Sequence, residues 1–246
     1  MSITMYCKSA NELPLPDNSV DLIITNPPHW QVEGSYYGGD QTGQLSHGIA
    51  TDRVAYFDSL KKATKEMIRV LSDKGNLIIA VGQGEYPRFN TLEYEHVLFC
   101  TQELNLQLTS EINWDISPNI FSHENLHHEH KIFRHYTKRS DYVRNSFEIT
   151  NLNPASWKIA FTENNPELLK IGGVGHGFPI ELASRFIRCF SETSSVVLDP
   201  FAGTGTVNVA AALHGRNSVY LDYSKEQYAL AKRRFELFNL PPALEG

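Results

Sequence analysis

Residues Ser195 to Asp222 read SVVLDPFAGTGTVNVAAALHGRNSVYLD, a stretch in which the hydrophobic pattern changes repeatedly. A short apolar strand ends at Asp199, and a turn rich in glycine and threonine leads into a helix of small residues. A second strand, Ser218 to Leu221, follows, and a terminal helix is predicted over Lys225–Phe238. Because strand and helix alternate, the stretch predicts βαβ units and a largely parallel sheet of the α/β class.

The turn between that strand and helix suits an anionic ligand. Gly203 and Gly205 let the backbone bend tightly and approach a bound group. The start of the following helix presents free N–H groups and a partial positive charge. A Walker loop is disfavoured because no lysine follows Gly205, and a dinucleotide fingerprint is disfavoured because Asn208 stands where its third glycine belongs.

A carboxylate at the end of the next strand narrows the predicted identity of this ligand. Doubly wound folds place an acid there to accept hydrogen bonds from ribose hydroxyls, and Asp222 is in that position. Turn and acid together indicate a nucleoside with an anionic tail, and S-adenosylmethionine has both parts. The alternative is that the glycines only form a tight turn and that Asp222 caps the next helix.

A second apolar strand, Val20–Thr25, is followed by the segment Asn26-Pro27-Pro28-His29-Trp30. Proline cannot donate to a strand ladder, so the strand ends there. The side-chain oxygen of Asn26 and the carbonyl of Pro27 can accept both hydrogens of an exocyclic amine, which leaves its nitrogen more nucleophilic. His29 or Trp30 can stack on a base taken out of its helix. The alternative is a proline-terminated strand with Trp30 in the core.

Further elements are predicted from hydrophobic periodicity. Helices are expected over Arg53–Leu71, which Lys74-Gly75 would end, and over Ile180–Phe190. A buried strand is expected over Asn76–Val81, and half-buried strands over Leu106–Trp114 and Lys131–Tyr136.

Composition narrows the class of protein. The 246 residues carry 22 Lys and Arg against 28 Asp and Glu, a net charge of −6, so any nucleic-acid binding needs a local basic face. The stretches Lys131–Arg144 and Lys232–Arg234 are the candidates, although a charge run is also typical of a solvated face. No apolar run reaches the roughly 18 residues that span a bilayer, and no signal peptide or disulfide framework is evident, so we expect a cytoplasmic protein, associated with the nucleoid if bacterial or archaeal.

The two motifs together resemble one family. Asp-Pro-Phe-Ala-Gly-Thr-Gly-Thr (199–206) and Thr-Asn-Pro-Pro-His-Trp (25–30) are similar to motifs of the amino-methylating DNA methyltransferases. The Pro-Pro motif precedes the cofactor motif, the order of the circularly permuted beta class. The resemblance implies a Rossmann-like, S-adenosylmethionine-dependent methyltransferase with a mostly parallel, doubly wound sheet. It implies one catalytic domain over 1–246, with a small embedded recognition region around 31–51 and 115–170.

The resemblance also implies site residues. Those expected to hold the target amine are Asn26, Pro27 and Pro28, with His29 stacking on the base. Those expected around the cofactor are Asp199, Phe201, Gly203, Gly205, Thr206, Asp222, His176, Phe178 and Pro179. Further substrate contacts are expected from Trp30, Lys138 and Arg139.

The target base is predicted from the residues around the Pro-Pro motif. Cytosine enzymes of the class usually carry serine, and adenine enzymes aspartate, where this chain has Asn26. Thr25 and Trp30 are similar to the cytosine form, so N4 of cytosine is the preferred target and N6 of adenine the alternative. An RNA or protein-amide methyltransferase, or an inactive cofactor-binding subunit, are further alternatives. Expected partners are double-stranded DNA and, by resemblance, a second copy of the chain or a restriction or specificity partner.

Two other chemistries are disfavoured. Methylation of C5 of cytosine needs a cysteine nucleophile, typically after proline, and none of the 3 cysteines follows a proline. The run His123, His127, His128 and His130 contains metal-ligand types, but methyl transfer needs no metal, so no metal site is expected.

Overall fold

The computed structural model of the chain describes residues 1–28, 53–81, 91–115, 130–152, 156–159, 166–173 and 179–245. Several predicted features lie outside the described residues. These are His29, Trp30, the segment 31–51, His123, His127, His128, His176 and Phe178.

The described residues form a nine-stranded sheet with the order β6-β4-β5-β3-β2-β7-β8-β1-β9. The strands are β1 (Ile3–Tyr6), β2 (Val20–Thr25), β3 (Leu71–Ile79), β4 (Gln107–Asp115), β5 (His130–Thr137), β6 (Ser156–Lys158), β7 (Val196–Asp199), β8 (Asn217–Leu221) and β9 (Ala243–Glu245). Strand β5 runs antiparallel to both of its neighbours, and the other neighbouring strands run parallel to each other. The predicted mostly parallel α/β sheet is therefore confirmed.

Helices cover both faces of this sheet. They are α1 (Arg53–Val70), α2 (Leu92–Leu98), which a π-helical turn (Phe99–Glu103) extends, α3 (Ser146–Leu152), α4 (Pro166–Lys170), α5 (Ile180–Phe190), α6 (Thr206–Leu213) and α7 (Lys225–Leu237). Within the described ranges, no helix is long and apolar enough to cross a membrane.

The core is divided by the sheet, as alternation along β2 shows. Ile23 packs in one cluster with Leu60 and Met67 of α1. Leu22 and Ile24, one residue to either side of Ile23, belong to a second cluster with α5 and α6. Since successive side chains of a strand point to opposite faces, α1 lies on one face and α5 and α6 on the other. This two-sided cover is the doubly wound arrangement that the sequence predicts.

One boundary differs from the prediction. The segment Lys74-Gly75 does not end the first helix but lies inside β3, which begins at Leu71. Leu71 pairs with Val20, and the register of the two strands shifts before Leu22 pairs with Asn76. A Cβ at Gly75 would lie 2.7 Å from Leu71 Cδ1 and 3.0 Å from the carbonyl oxygen of Asp21, so a glycine here lets β3 stay against β2 through the irregularity.

Candidate functional site

Strands β2 and β7 are neighbours at the centre of the sheet, although most of the chain separates them in sequence. Leu22 pairs with Val197 and Ile23 with Leu198. From β2 the chain passes through α1 to β3 on one side, and from β7 it passes through α6 to β8 on the other. The strand order therefore reverses between β2 and β7, and open α/β sheets bind ligands beyond the carboxyl ends of the strands at such a point.

A direct hydrogen bond joins the two strand ends at this point. The hydroxyl of Thr25 donates to Oδ1 of Asp199 over 2.8 Å, and the backbone N–H of Phe201 donates to the same oxygen over 3.1 Å. Thr25 and Asp199 are both buried. Burial raises the pKa of Asp199 to about 7, against the lowering effect of these two hydrogen bonds. The turn with the Pro-Pro motif and the glycine turn are thus connected through side chains.

The glycine turn is braced by the acid at the end of β8. Oδ2 of Asp222 accepts from the backbone N–H of Gly203 over 2.7 Å, and Oδ1 accepts from the N–H of Ser224 over 2.8 Å. The hydroxyl of Tyr220 donates to the carbonyl of Gly203 over 2.9 Å. The cap of α7 is Ser224, whose side chain accepts from the N–H of Gln227. Asp222 therefore fixes the shape of the turn, and its contact with a ribose remains a prediction.

The two glycines of the turn have different surroundings. Gly203 has a φ of +50°, and a Cβ placed on it meets no atom of the described residues within 4 Å. Gly205 has a φ of +76°, and a Cβ there would lie 2.5 Å from the ring of Phe235. Among the described residues, nothing covers Gly203 before the start of α6, whereas Gly205 makes room for α7. The open side fits the approach of the anionic end of a nucleoside cofactor.

A buried arginine of α7 holds this turn through hydrogen bonds, and the sequence pattern did not predict it. The guanidinium of Arg234 donates to Oγ1 of Thr206 over 2.7 Å and to the carbonyl of Thr204 over 3.2 Å. It also forms an ion pair of 2.6 Å with Glu167 of α4. Arg234 is fully buried, so this member of the basic run Lys232–Arg234 is not part of a solvated or nucleic-acid-binding face.

Side chains from two further elements hold the Pro-Pro turn. The hydroxyl of Tyr56 on α1 donates to the carbonyl of Pro28 over 2.7 Å. The ammonium group of Lys131 on β5 donates to Oδ1 of Asn26 over 3.0 Å. Asn26 and Pro28 are half-buried and Pro27 is buried, so the turn lies partly exposed at the carboxyl edge of the sheet.

Lys131, the second residue of β5, and Lys138, which directly follows β5, lie at opposite edges of the sheet. Because β5 is antiparallel, its first residues reach the carboxyl edge, where Lys131 contacts Asn26. Lys138 follows the last residue of β5 and donates to the carbonyl of Leu71 at the amino edge. Arg139 pairs there with Asp141 over 2.7 Å. The structure therefore does not bring Lys138 and Arg139 to the other predicted site residues, because strand direction separates them.

Pro179 is the described member of the segment expected to border the cofactor. It is buried, has an extended backbone and directly precedes α5. Among the residues that the structure describes, no group of three or more His, Cys, Asp or Glu side chains could hold a metal ion.

Comparison with known proteins assigns the family. The family model for DNA methylases (N6_N4_Mtase) matches residues 20–233. The chain belongs to the DNA methylase family. This assignment confirms the predicted resemblance to the amino-methylating enzymes of the beta class and S-adenosylmethionine as the cofactor.

Individual DNA methylases resemble this chain over most of its length. The type II methyltransferase M.MthZI of Methanothermobacter thermautotrophicus is 55% identical over an alignment of length 263, which covers 87% of this chain and 70% of the relative. M.HpaI of Haemophilus parainfluenzae is 24% identical over 237 residues, which cover 90% of this chain and 70% of the relative.

Solved structures have the same fold. The PvuII cytosine-N4-specific DNA methyltransferase superposes with a TM-score of 0.78 at 19% identity, covering 100% of this chain and 95% of that chain. A DNA modification methylase of Thermus thermophilus, in complex with S-adenosylmethionine, superposes with a TM-score of 0.70 at 26% identity, covering 100% and 99% of the two chains.

The geometry of this DNA methylase suits the transfer of a group to an amine. The half-buried acceptor Asn26 and the open glycine turn lie at the carboxyl ends of adjacent strands, and the Thr25–Asp199 hydrogen bond fixes their separation. Two reactants that are held in a fixed relation react faster than two that meet by diffusion.

Proposed function

We propose that this DNA methylase transfers a methyl group to N4 of a cytosine that is flipped out of duplex DNA, with N6 of adenine as the alternative target. The observation that carries the proposal is the position of Asn26, a half-buried residue beside a strand end that is hydrogen-bonded to Asp199. Both target bases present an exocyclic amine, so this acceptor suits either. The preference for cytosine is supported by Thr25 and Trp30, which resemble the flanks of the motif in cytosine enzymes.

The protein groups act on the amine by accepting its two hydrogens. The side-chain oxygen of Asn26 and the backbone carbonyl of Pro27 are the proposed acceptors, and they favour a nitrogen whose lone pair is free to attack. When bound, S-adenosylmethionine supplies an activated methyl group. The role of the chain's own residues would be to hold the nitrogen lone pair in line with that methyl group. Tyr56, which holds the carbonyl of Pro28, keeps the turn in place during this step.

The proposed cofactor contacts follow the turn after β7. Gly203 and the start of α6 with Thr206 receive the methionine part, near Asp199 and Phe201, and Asp222 receives the ribose while it braces the turn. We assign the border of this pocket to His176, Phe178 and Pro179 on the resemblance.

Duplex DNA is the proposed partner, and the target base must leave the helix at a cost of a few kcal/mol. His29 and Trp30 are the proposed stacking residues. Sequence recognition is assigned to 31–51 and to part of 115–170. Within 115–170, strands β5 and β6 belong to the nine-stranded sheet. An ion pair between Glu148 of α3 and Arg188 joins α3 to α5. A second copy of the chain or a specificity partner could complete recognition.

The test is methyl transfer from labelled S-adenosylmethionine to duplex DNA of mixed sequence, followed by identification of the modified nucleoside by mass spectrometry. Detection of N4-methylcytosine supports the proposal. Detection of N6-methyladenine would show that adenine is the target base, while the proposed mechanism would still hold. Parallel reactions with RNA and protein acceptors serve as controls. Label in one of these acceptors and none in DNA would overturn the proposed substrate.

A further inference from the structure

The side-chain amide of Asn26 has a hydrogen-bond partner that the sequence motifs do not predict. Lys131 Nζ lies 3.0 Å from Asn26 Oδ1, the same oxygen that the proposed function assigns to the target amine. The backbone of Lys131 is fixed, because it pairs with Trp114 of β4 within the sheet. A carbonyl oxygen has two lone pairs, so it can accept from Lys131 and from a second donor at once.

An asparagine side chain has one acceptor end and one donor end of nearly equal shape. With the amide reversed, the NH₂ group would face the ammonium of Lys131, and two donors would meet. The same reversal would present NH₂ to the target amine, where an acceptor is needed. Whatever fixes the amide toward Lys131 therefore also fixes it for catalysis.

We propose that Lys131 is a positioning residue that holds the Asn26 amide with its oxygen toward the target amine. The proposal rests on the proposed function, because it concerns the same acceptor. It gives β5 a role in the site: the antiparallel strand delivers a cation to the carboxyl edge, beside a turn that β2 carries.

Direct proton transfer to Lys131 is a poorer account of this contact. Two donors at about 3 Å on the two lone pairs of one oxygen lie about 5 Å apart, beyond hydrogen-bond reach of each other. Burial lowers the pKa of Lys131 to about 8. Near neutral pH, Lys131 is therefore protonated in most molecules and can donate to Asn26.

A variant series separates positioning from mere packing. Lys131→Met keeps the apolar stem and removes the donor, and Lys131→Arg restores a donor. Both are made in the wild-type chain and in Asn26→Asp, because a carboxylate presents acceptors at both ends and needs no orientation. Thermal unfolding and S-adenosylmethionine binding are measured for each variant, so that a folding defect is recognised.

We expect Lys131→Met to lower kcat about tenfold, the effect of one lost hydrogen bond to a charged group, with KM for DNA little changed. Lys131→Arg should recover part of this loss. In Asn26→Asp, the same Lys131→Met substitution should change kcat by less than about threefold. An equal loss in both backgrounds, or no loss in either, would overturn the proposal while leaving the proposed function intact.

A second measurement needs no DNA and therefore remains decisive if the wild-type chain methylates none. The side-chain amide resonance of Asn26 is identified in ¹⁵N-asparagine-labelled protein by its disappearance in Asn26→Asp. Lys131→Met should shift or split this resonance, and Lys131→Arg should restore a single signal. An unchanged resonance in Lys131→Met contradicts the assignment of Lys131 as the orienting group.

Discussion

The hydroxyl of Thr25 donates to the carboxylate of Asp199 over 2.8 Å, although the two residues lie 174 positions apart in sequence. Thr25 is the last residue of β2 and Asp199 the last residue of β7, and both side chains are buried. This hydrogen bond couples the turn that we propose holds the target amine to the turn that we propose holds the cofactor. It makes the distance between the two turns a property of the sheet rather than of the loops.

We therefore expect Thr25→Val, which keeps the shape and removes the donor, to lower kcat and S-adenosylmethionine affinity each by about tenfold. The loss corresponds to about 1–2 kcal/mol, typical of one lost hydrogen bond to a buried acid; Asp199 Oδ1 keeps the N–H of Phe201 as a donor. Thr25→Ser keeps the hydroxyl and should retain most of both. Steady-state kinetics and calorimetric binding make the comparison. If Thr25→Val behaved like Thr25→Ser, the hydrogen bond would have no part in coupling the turns.

Much of the fold was predictable from the sequence because the central strands are buried on both faces and are closed by clear turn signals. The strands ending at Thr25, Asp199 and Leu221 were placed correctly to within a residue or two. The strands β1 and β9, of which β9 forms one edge of the sheet, were not predicted, because each spans only 3 or 4 residues and derives its pairing from neighbours that are remote in sequence.

The parts of the site that sequence reasoning missed depend on strand direction and burial. Lys131 and Lys138 lie in one basic stretch, and only the antiparallel course of β5 shows that Lys131 reaches Asn26. Arg234 lies in another basic run, and it is buried because α7 packs against the glycine turn. Spacing of charged residues carries neither piece of information. One signal was present: Arg234 follows Leu230 and Ala231 on the buried face of α7.

Asn26→Ala should reduce methyl transfer by about a hundredfold or more, the usual effect of removing a group that stabilises charge in the transition state. Binding of S-adenosylmethionine should be unchanged, since Asn26 lies on the β2 turn and not on the glycine turn. Single-turnover kinetics on duplex DNA, with calorimetry of cofactor binding, provide the measurement. Undiminished methylation by Asn26→Ala would refute the assignment of Asn26 as an acceptor.

Two glycine substitutions should separate cofactor binding from folding. At Gly203 a Cβ meets no described residue and the φ is +50°, so Gly203→Ala should cost about 1 kcal/mol in stability and weaken cofactor binding markedly. At Gly205 a Cβ would lie 2.5 Å from the ring of Phe235, so Gly205→Ala should chiefly destabilise the fold. Urea unfolding and cofactor titration give the two readouts. Equal effects of both variants on both quantities would contradict the different surroundings of the two glycines.

The ion pair beneath the glycine turn leads to a further prediction. Arg234→Met leaves Glu167 without its partner, and breaking such a buried pair costs about 3–5 kcal/mol. The turn also loses the donors to Thr204 and Thr206, so cofactor affinity should fall together with the free energy of unfolding. Glu167→Gln, which keeps an acceptor for Arg234, is the milder comparison. Arg233→Met, at the exposed position of the same run, is the surface control and should change neither quantity appreciably.

The stability of the fold should depend on pH through His135. Its ring contacts Asn76 Oδ1 over 2.8 Å in the core, and burial lowers its pKa from 6.5 to about 3. Between these values the unfolded chain binds a proton that the folded chain does not, so the stability contributed above pH 6.5 is lost as the pH falls toward 3. From about pH 7.5 to about pH 5, this histidine alone should lower the free energy of unfolding by about 2 kcal/mol.

The measurement is urea unfolding of wild-type chain and of His135→Gln at both pH values. The variant loses stability at the higher pH through altered packing, but its further loss on acidification should be smaller than that of the wild-type chain by about 2 kcal/mol. His96, whose pKa burial also lowers to about 3, contributes equally to both proteins and cancels in the comparison. If the two proteins lost the same stability between the two pH values, His135 would not be the neutral, buried group that its contacts indicate.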